Sequence, residues 1–157
     1  MIILGLDPGL ERMGVGIIRR EGSRVIPIHH GLIKTPQILL PDRLRLIEEQ
    51  LTQILQDHKV DTVATERLLF SVNKTTAMDV AKALGVALLV CGKHGLPWCE
   101  YSPPEIKQAV VGVGNAQKAQ VQFMVTKILG LRETPKPDDV ADALAIAITH
   151  AFRAPRR

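Results

Sequence analysis

Apolar segments bounded by turn residues divide the N-terminal part of the chain into strands. Three apolar segments follow one another there, separated by short stretches rich in Gly, Pro and Ser, which are turn residues. This pattern predicts three consecutive strands joined as an antiparallel meander. The three segments are IILGLD (2–7), MGVGIIRR (13–20) and RVIPIHHGLIKT (24–35).

Helical spacing of apolar residues begins after Pro41. Leu44, Ile47 and Leu51 recur at intervals of three or four residues, which is typical of an amphipathic helix. A strand, DTVATE, follows and ends on Glu66, and a long helix is then predicted over 74–92. That helix is apolar on nearly all sides in its second half, so we expect the domain or another subunit to cover more than one of its faces.

The rest of the chain alternates strand and helix patterns. LPWCEY (96–101) predicts a short strand, and Pro103 is suited to the first turn of a helix. A further helix is predicted over 117–130 and the last one from Asp138 onward. Strands in succession followed by alternating strands and helices indicate an α/β fold, a mixed sheet with helices on its faces. The length of 157 residues predicts one domain, 1–157.

The composition narrows the possible classes of protein. Hydrophobic residues make up 46% of the chain and charged residues 23%, which is ordinary for a soluble globular protein. No apolar run reaches the ~18 residues that suggest a membrane span, and the N-terminus lacks the basic start of a secretion signal. We therefore expect a cytoplasmic protein with no membrane partner. Cys91 and Cys99 match neither a zinc site nor a disulfide framework.

Three aspartates open the last predicted helix. Asp139 and Asp142 share a helical face, and so do Asp138 and Asp142, so spacing alone leaves open the choice between the first two. Compensation of the helix dipole, worth ~0.3–1 kcal/mol per acid, would explain Asp138 and Asp139. It explains Asp142 poorly, because that residue lies deeper in the helix among apolar neighbours.

Asp7 and Glu66 end two apolar strands and could join this acidic group. Taken singly, each is explained as well by a turn or by a solvent-facing strand end. If the two strands are neighbours, however, the acids converge, and carboxylates ~4 Å apart repel by about 4 kcal/mol at an effective dielectric of 20. Such a cluster requires protonation or cations. Oxygen ligands favour Mg²⁺ or Mn²⁺, and a pair of such ions suits hydrolysis of phosphodiester bonds.

The net charge of +4 supports a polyanionic partner once this site is assumed. If four acids bind metal, 20 Lys and Arg residues face only 12 remaining Asp and Glu residues. A basic excess of this kind is typical of proteins that bind nucleic acid.

In five segments, among them EIKQAVVGVGNAQKAQVQFMV and ADALAIAITH, the chain resembles the RuvC family of Holliday-junction resolvases, which have a ribonuclease H-like fold. The DPG motif with a later acid is common among ribonuclease H-like proteins, whereas KQAVVGVGNAQKAQVQ together with ADALAIAITH is highly specific to this family. The resemblance implies a homodimeric endonuclease with two Mg²⁺ or Mn²⁺ ions per site. It would cut two strands of like polarity symmetrically across a four-way junction, with branch-migration motor proteins as partners. The segments are IILGLDPGLERMGVGII, DRLRLI, VATERLLFSVNK, EIKQAVVGVGNAQKAQVQFMV and ADALAIAITH.

The resemblance also assigns roles to particular residues. Lys107 and Lys118 match family lysines that meet DNA near the cut, and Asp138 becomes an additional neighbour of the site. Leu69 and Phe70 lie where the family places a bulky side chain that enters the junction, and which of them inserts stays open. The helix over 74–92 corresponds to the dimer-forming element, through Ala77, Ala81, Leu84, Leu88 and Cys91. The catalytic, metal-binding acids are Asp7, Glu66, Asp139 and Asp142.

Two alternative functions stay possible at this point. The first is a related ribonuclease H-like nuclease that acts on RNA or on another DNA structure, which the VVGVGNAQKAQVQ segment disfavours. The second is a junction-binding module without catalytic activity, which the presence of all four acids disfavours. The role of Arg67 is left open between a phosphate contact and an ion pair with an acid.

Overall fold

Five strands form one mixed sheet in a computed structural model that describes residues 1–68 and 74–154. The strands are β1 (Ile2–Asp7), β2 (Arg12–Glu21), β3 (Arg24–Lys34), β4 (Thr62–Glu66) and β5 (Trp98–Tyr101). Their order across the sheet is β3-β2-β1-β4-β5. The first three strands pair antiparallel, whereas β4 runs parallel to β1 and β5 runs parallel to β4. The predicted meander and mixed sheet are therefore confirmed.

Helices follow the predicted segments closely, with boundaries that differ by no more than a few residues. The helix over Pro103–Val111 begins with a capping box, in which Glu105 accepts hydrogen bonds from the backbone N–H and the hydroxyl of Ser102. Within the described ranges, no helix is long and apolar enough to cross a membrane. The helices are α1 (Leu40–Asp57), α2 (Lys74–Lys93), α3 (Pro103–Val111), α4 (Lys118–Ile128) and α5 (Asp138–Arg153).

The sheet separates two hydrophobic cores. Alternation along β1 directs Leu4 and Leu6 toward α1 and α2, and directs Ile3 to the opposite face, where α3, α4 and α5 pack. Helix α5 is the centre of the second core, since its residues from Val140 to Ala151 are almost all buried. Each fully buried Leu or Ile contributes roughly 1.5–3 kcal/mol to folding, so α5 is held firmly against the sheet.

Helix α2 presents two different faces. Ala83, Ala87 and Cys91 are buried against the core under the sheet, whereas Met78 and Leu89 are 55% and 59% exposed. Leu84 and Cys91, two of the positions that the resemblance placed on the dimer-forming element, are therefore buried within their own chain. Within the described chain, only one face of α2 is covered.

Candidate active site

The topology of the sheet brings Asp7 and Glu66 to the same edge. Strands β1 and β4 are parallel neighbours with Leu6 opposite Thr65, so the next residue of each strand is an acid at the carboxyl end. Asp7 is also paired with Gly14 of β2, whose face of the sheet is covered by α5. Both carboxylates therefore lie beside the first turn of α5.

Glycines in the sheet allow α5 to approach the strands closely. A Cβ atom added at Gly14 would overlap the carbonyl oxygen of Asp139, and one at Gly5 would overlap the carbonyl oxygen of Ala143. At Gly16 the added atom would lie 2.8 Å from the backbone nitrogen of Leu144. Because these side chains are missing, the backbone of α5 rests directly on β1 and β2. This contact sets the distance between the strand-end acids and the acids of α5.

The electrostatics of Asp7 show that the four predicted acids form one cluster. Burial raises the pKa of the Asp7 carboxyl, and the charges of Asp142, Glu66 and Asp139 raise it further, to about 8. Burial followed by the charge of Asp142 likewise raises the pKa of Glu66. Neighbouring like charges disfavour ionisation in this way only when the groups lie close together.

Lys118 is the internal counter-ion of this cluster. Its ammonium lies 2.6 Å from Oδ2 of Asp138 and 2.9 Å from Oδ2 of Asp142. Burial alone would lower the pKa of Lys118, but the hydrogen bonds to the two aspartates outweigh it, so the pKa is raised. Lys118 holds this position as the first residue of α4, where Gln117 and Gln120 form a capping box.

Asp138 and Asp139 differ in what each side chain contacts. Asp138 is half exposed and its carboxylate pairs with Lys118. Asp139 contributes to the raised pKa of Asp7, and its Oδ2 atom is buried without a hydrogen bond within the described chain. The Nε atom of Arg12 lies 3.5 Å from that oxygen, which gives an ion pair but no hydrogen bond.

The four acids offer the type of ligand atom that a divalent metal ion such as Mg²⁺ prefers. Every donor is a carboxylate oxygen, which suits Mg²⁺ or Mn²⁺, and the buried Oδ2 atom of Asp139 lacks the partner that such an oxygen requires. Among the described residues, however, no three potential ligand side chains are already arranged around one ion position. The ammonium of Lys118 lies between Asp138 and Asp142 instead.

The other predicted DNA-binding residues are only partly described. Lys107, on α3, is near enough to Glu66 for its charge to oppose the rise in the pKa of that acid. Arg67 pairs with Glu100, with Nε 3.2 Å from Oε1, so the structure favours the ion pair over the phosphate contact. Leu69 and Phe70, the predicted junction-inserting residues, lie outside the described residues.

Arg12 and the glycines under α5 were not identified from the sequence. A usable signal was present for Arg12: it is two positions before Gly14 and four before Gly16 on β2, and side chains alternate along a strand. Once Gly14 is known to face α5, Arg12 must face the same side. The sequence gives no such direct signal for the contact between Gly14 and Asp139, which depends on tertiary packing.

His150 lies at the opposite end of α5 and is buried there. Its Nε2 atom lies 3.1 Å from the hydroxyl of Thr62, and its Nδ1 atom lies 2.8 Å from the hydroxyl of Tyr101. Burial lowers the pKa of the imidazole. This residue belongs to the core and not to the acidic cluster.

The sheet order and the acids at the ends of β1, of β4 and at the start of α5 define the ribonuclease H-like class of nucleases. A family model described as "Crossover junction endodeoxyribonuclease RuvC" matches residues 3–150. The chain belongs to the RuvC family, and it is an endonuclease of that family.

Known proteins support this membership over nearly the whole chain. A RuvC crossover junction endodeoxyribonuclease from Alkaliphilus oremlandii is 49% identical over 152 residues, which cover 96% of this chain and 93% of that protein. The structure of Thermus thermophilus RuvC in complex with Holliday junction substrate is similar, with a TM-score of 0.93, 38% identity, and 98% and 94% of the two chains covered. The yeast mitochondrial Holliday junction resolvase shares the fold at 15% identity, with a TM-score of 0.67 and coverage of 95% and 78%.

Proposed function

We propose that the enzyme resolves four-way DNA junctions by cutting two strands of like polarity at symmetric positions. The observation that supports this most strongly is the cluster of four carboxylates with an unsatisfied, buried oxygen on Asp139. It occurs in a chain whose fold matches that of a RuvC protein solved with Holliday junction substrate. The acids proposed to hold divalent ions and to carry catalysis are Asp7, Glu66, Asp139 and Asp142.

In this proposal, the chain itself supplies rigid ligands and cations for the phosphate. Asp7 and Glu66 are fixed at strand ends, and Asp139 and Asp142 are fixed on a helix buried against the sheet. When bound, a pair of Mg²⁺ or Mn²⁺ ions would neutralise these carboxylates, activate water and stabilise charge on the reacting phosphate. Family membership implies dependence on a divalent metal, and the choice of these two ions rests on the oxygen ligands.

Lys118 and Lys107 are proposed to bind phosphate oxygens beside the cut. The Lys118 ammonium already lies within 3 Å of two carboxylate groups, so it can reach a phosphate held at the same place. Lys107 lies on the Glu66 side of the cluster. A lysine ammonium is a compact point charge with three donors, which suits a contact with phosphate.

A homodimer would supply the two sites that two symmetric cuts require. Met78, Gly85 and Leu89 lie on one face of α2, and no atom of the described residues lies within 4 Å of a Cβ atom added at Gly85. An exposed apolar stripe with a glycine at its centre allows a second helix to approach closely. Insertion of Leu69 or Phe70 into the junction, branch-migration motors as partners and a cytoplasmic location stay predictions from the sequence and the family resemblance.

The proposal is tested with a synthetic four-way junction, a linear duplex and an RNA-containing duplex of matched sequence. Each strand is labelled in turn, and cleavage is followed with and without Mg²⁺ or Mn²⁺. We expect paired, metal-dependent cuts only in the junction. Asp7→Asn should bind the junction without cutting it, whereas Glu49→Gln, on the exposed side of α1, should cut normally. Equal cutting of the linear or RNA-containing duplex would contradict junction resolution, and cutting by Asp7→Asn would contradict the site.

A further inference from the structure

Two basic residues extend the active-site face toward the β3 edge of the sheet. Arg12, the first residue of β2, is directly opposite Lys34, the last residue of β3. Opposite residues of antiparallel strands point to the same face, so both lie on the face that carries Gly14 and α5. Arg12 is two positions beyond Gly14, the partner of Asp7, which places it ~7 Å farther out along the strand direction.

Both cations retain hydrogen-bond donors that no group of the described chain occupies. Arg12 is 51% exposed, and among the described residues its ion-pair partner is Asp139, at 3.5 Å and without a hydrogen bond. The side chain of Lys34 is exposed and forms no ion pair within the described residues. A guanidinium has five donors in a planar fork, so most of the binding capacity of Arg12 is still available.

The backbone that carries Arg12 and Lys34 is tied down by a buried threonine. The Thr35 hydroxyl donates to the carbonyl oxygen of Leu10 at 2.6 Å and accepts from Nε of Arg43 at 2.9 Å. The Thr35 N–H donates to the carbonyl oxygen of Glu11 at 3.0 Å. These bonds join the turn before β2 to the end of β3, so little conformational entropy is lost when a ligand binds there.

The acidic cluster therefore lies between two groups of cations. Lys107 and Lys118 lie on the side of α3 and α4, and Arg12 and Lys34 lie on the side of β2 and β3. A DNA strand that crosses the acids carries a phosphate at every nucleotide, and it needs positive charge on both sides of the cut. Cations on one side alone would leave the other half of the strand next to carboxylates.

We propose that Arg12 and Lys34 form a phosphate-binding surface, here named the β2–β3 rim, that holds the DNA backbone on the side of the cut opposite Lys107 and Lys118. Arg12 exchanges its long contact with Asp139 for charge-assisted hydrogen bonds to a phosphate. This inference rests on the proposed function, since it identifies further contacts for the same DNA.

Junction affinity as a function of salt tests the β2–β3 rim. The variants are Arg12→Gln and Lys34→Gln, and the control is Arg45→Gln, whose side chain pairs with Glu49 on the exposed face of α1. Binding to a labelled four-way junction is measured by fluorescence anisotropy in Ca²⁺, with gels to verify that the DNA stays intact. Each rim variant should bind about three- to tenfold more weakly at low salt, and its salt slope should fall by about 0.9 for the lost phosphate contact. The control should match wild type, and melting curves should show that all variants are folded.

A double-mutant cycle with Asp139→Asn separates a direct phosphate contact from an effect transmitted through Asp139. We expect Arg12→Gln to weaken junction binding in both backgrounds, because the guanidinium contacts DNA directly. Loss of the effect in the Asp139→Asn background would overturn the proposal, and so would wild-type salt slopes in both rim variants. If wild type itself shows no preference for the junction over linear duplex, the proposed function in junction resolution is contradicted. If wild type prefers the junction and both rim variants bind it as tightly as wild type does, only the proposal of the β2–β3 rim is overturned.

Discussion

At Asp7, burial and three neighbouring carboxylates act in the same direction, and together they raise the pKa of the side chain to about 8. In the metal-free chain this carboxyl is therefore largely protonated at neutral pH. Lys118 compensates for part of the remaining negative charge through Asp138 and Asp142. In the metal-free site, the repulsion between carboxylates is thus reduced by bound protons and by the ammonium of Lys118. A divalent cation can replace both of them.

The raised pKa of Asp7 predicts how the stability of the metal-free protein depends on pH. Between the ordinary value of 3.8 and about 8, the folded chain binds more protons at Asp7 than the unfolded chain does. The free energy of unfolding should therefore fall as the pH rises from about 4 toward about 8, and it should level off above that value. Between about pH 7 and about pH 8.5 the expected loss is about 1 kcal/mol, since one pKa unit is about 1.4 kcal/mol.

Chemical denaturation in the presence of a chelator checks this prediction. Asp7→Asn should remove most of the loss between the two pH values, and Asp57→Asn, an exposed residue at the end of α1, should behave like wild type. Parallel pH dependence in wild type and Asp7→Asn would show that Asp7 is not the titrating group.

At the scale of elements, periodicity and turn residues were sufficient to predict the strands and helices, because the strands are apolar segments bounded by turn residues and most helices have one apolar face. The same patterns placed Asp7 and Glu66 at strand ends. They could not separate Asp138 from Asp139, because both lie near Asp142 on a helix. The difference between them depends on the folded chain, in which Asp139 is close enough to Asp7 for its charge to raise the pKa of that carboxyl.

The contact between α5 and the sheet predicts the effect of Gly14→Ala. The new methyl group would overlap the carbonyl oxygen of Asp139 and would push the first turn of α5 away from Asp7. Overpacking of this kind costs ~1–3 kcal/mol of stability. A displacement of ~1 Å at the reacting groups can lower the rate about 100-fold, so cleavage should suffer more than folding does.

Junction cleavage and denaturant unfolding are measured together for this variant. Gly31→Ala is the matched control, because the only contact within 4 Å of its added Cβ atom is the His29 ring, at 3.8 Å. It should keep both activity and stability. Normal cleavage by a folded Gly14→Ala protein would show that this close approach does not position Asp139.

At the scale of the whole molecule, the exposed apolar face of α2 around Met78, Gly85 and Leu89 predicts that paired cutting requires a second copy of the chain. Leu89→Glu places a charge in the proposed contact between two copies, and because Leu89 is 59% exposed, the fold of the single chain should survive. We expect sedimentation to show a dimer for wild type and a monomer for this variant, with paired cuts lost.

Leu39→Glu is the control for the proposed dimer, since this leucine is exposed just before the start of α1 and does not belong to the exposed face of α2. It should sediment like wild type. A Leu89→Glu protein that stays dimeric would place the contact between subunits elsewhere on the surface.

Helix α5 carries two of the four acids at one end, His150 near the other, and the centre of a core between them. Its first turn cannot rearrange freely, because the glycines of β1 and β2 leave no space beneath it. A small molecule that binds and neutralises the carboxylates would therefore stabilise the folded chain, because a compound that binds only the folded state raises its thermal transition. Compounds that bind this enzyme can consequently be selected by a rise in melting temperature before any DNA substrate is prepared, and inhibition is then measured for the selected compounds.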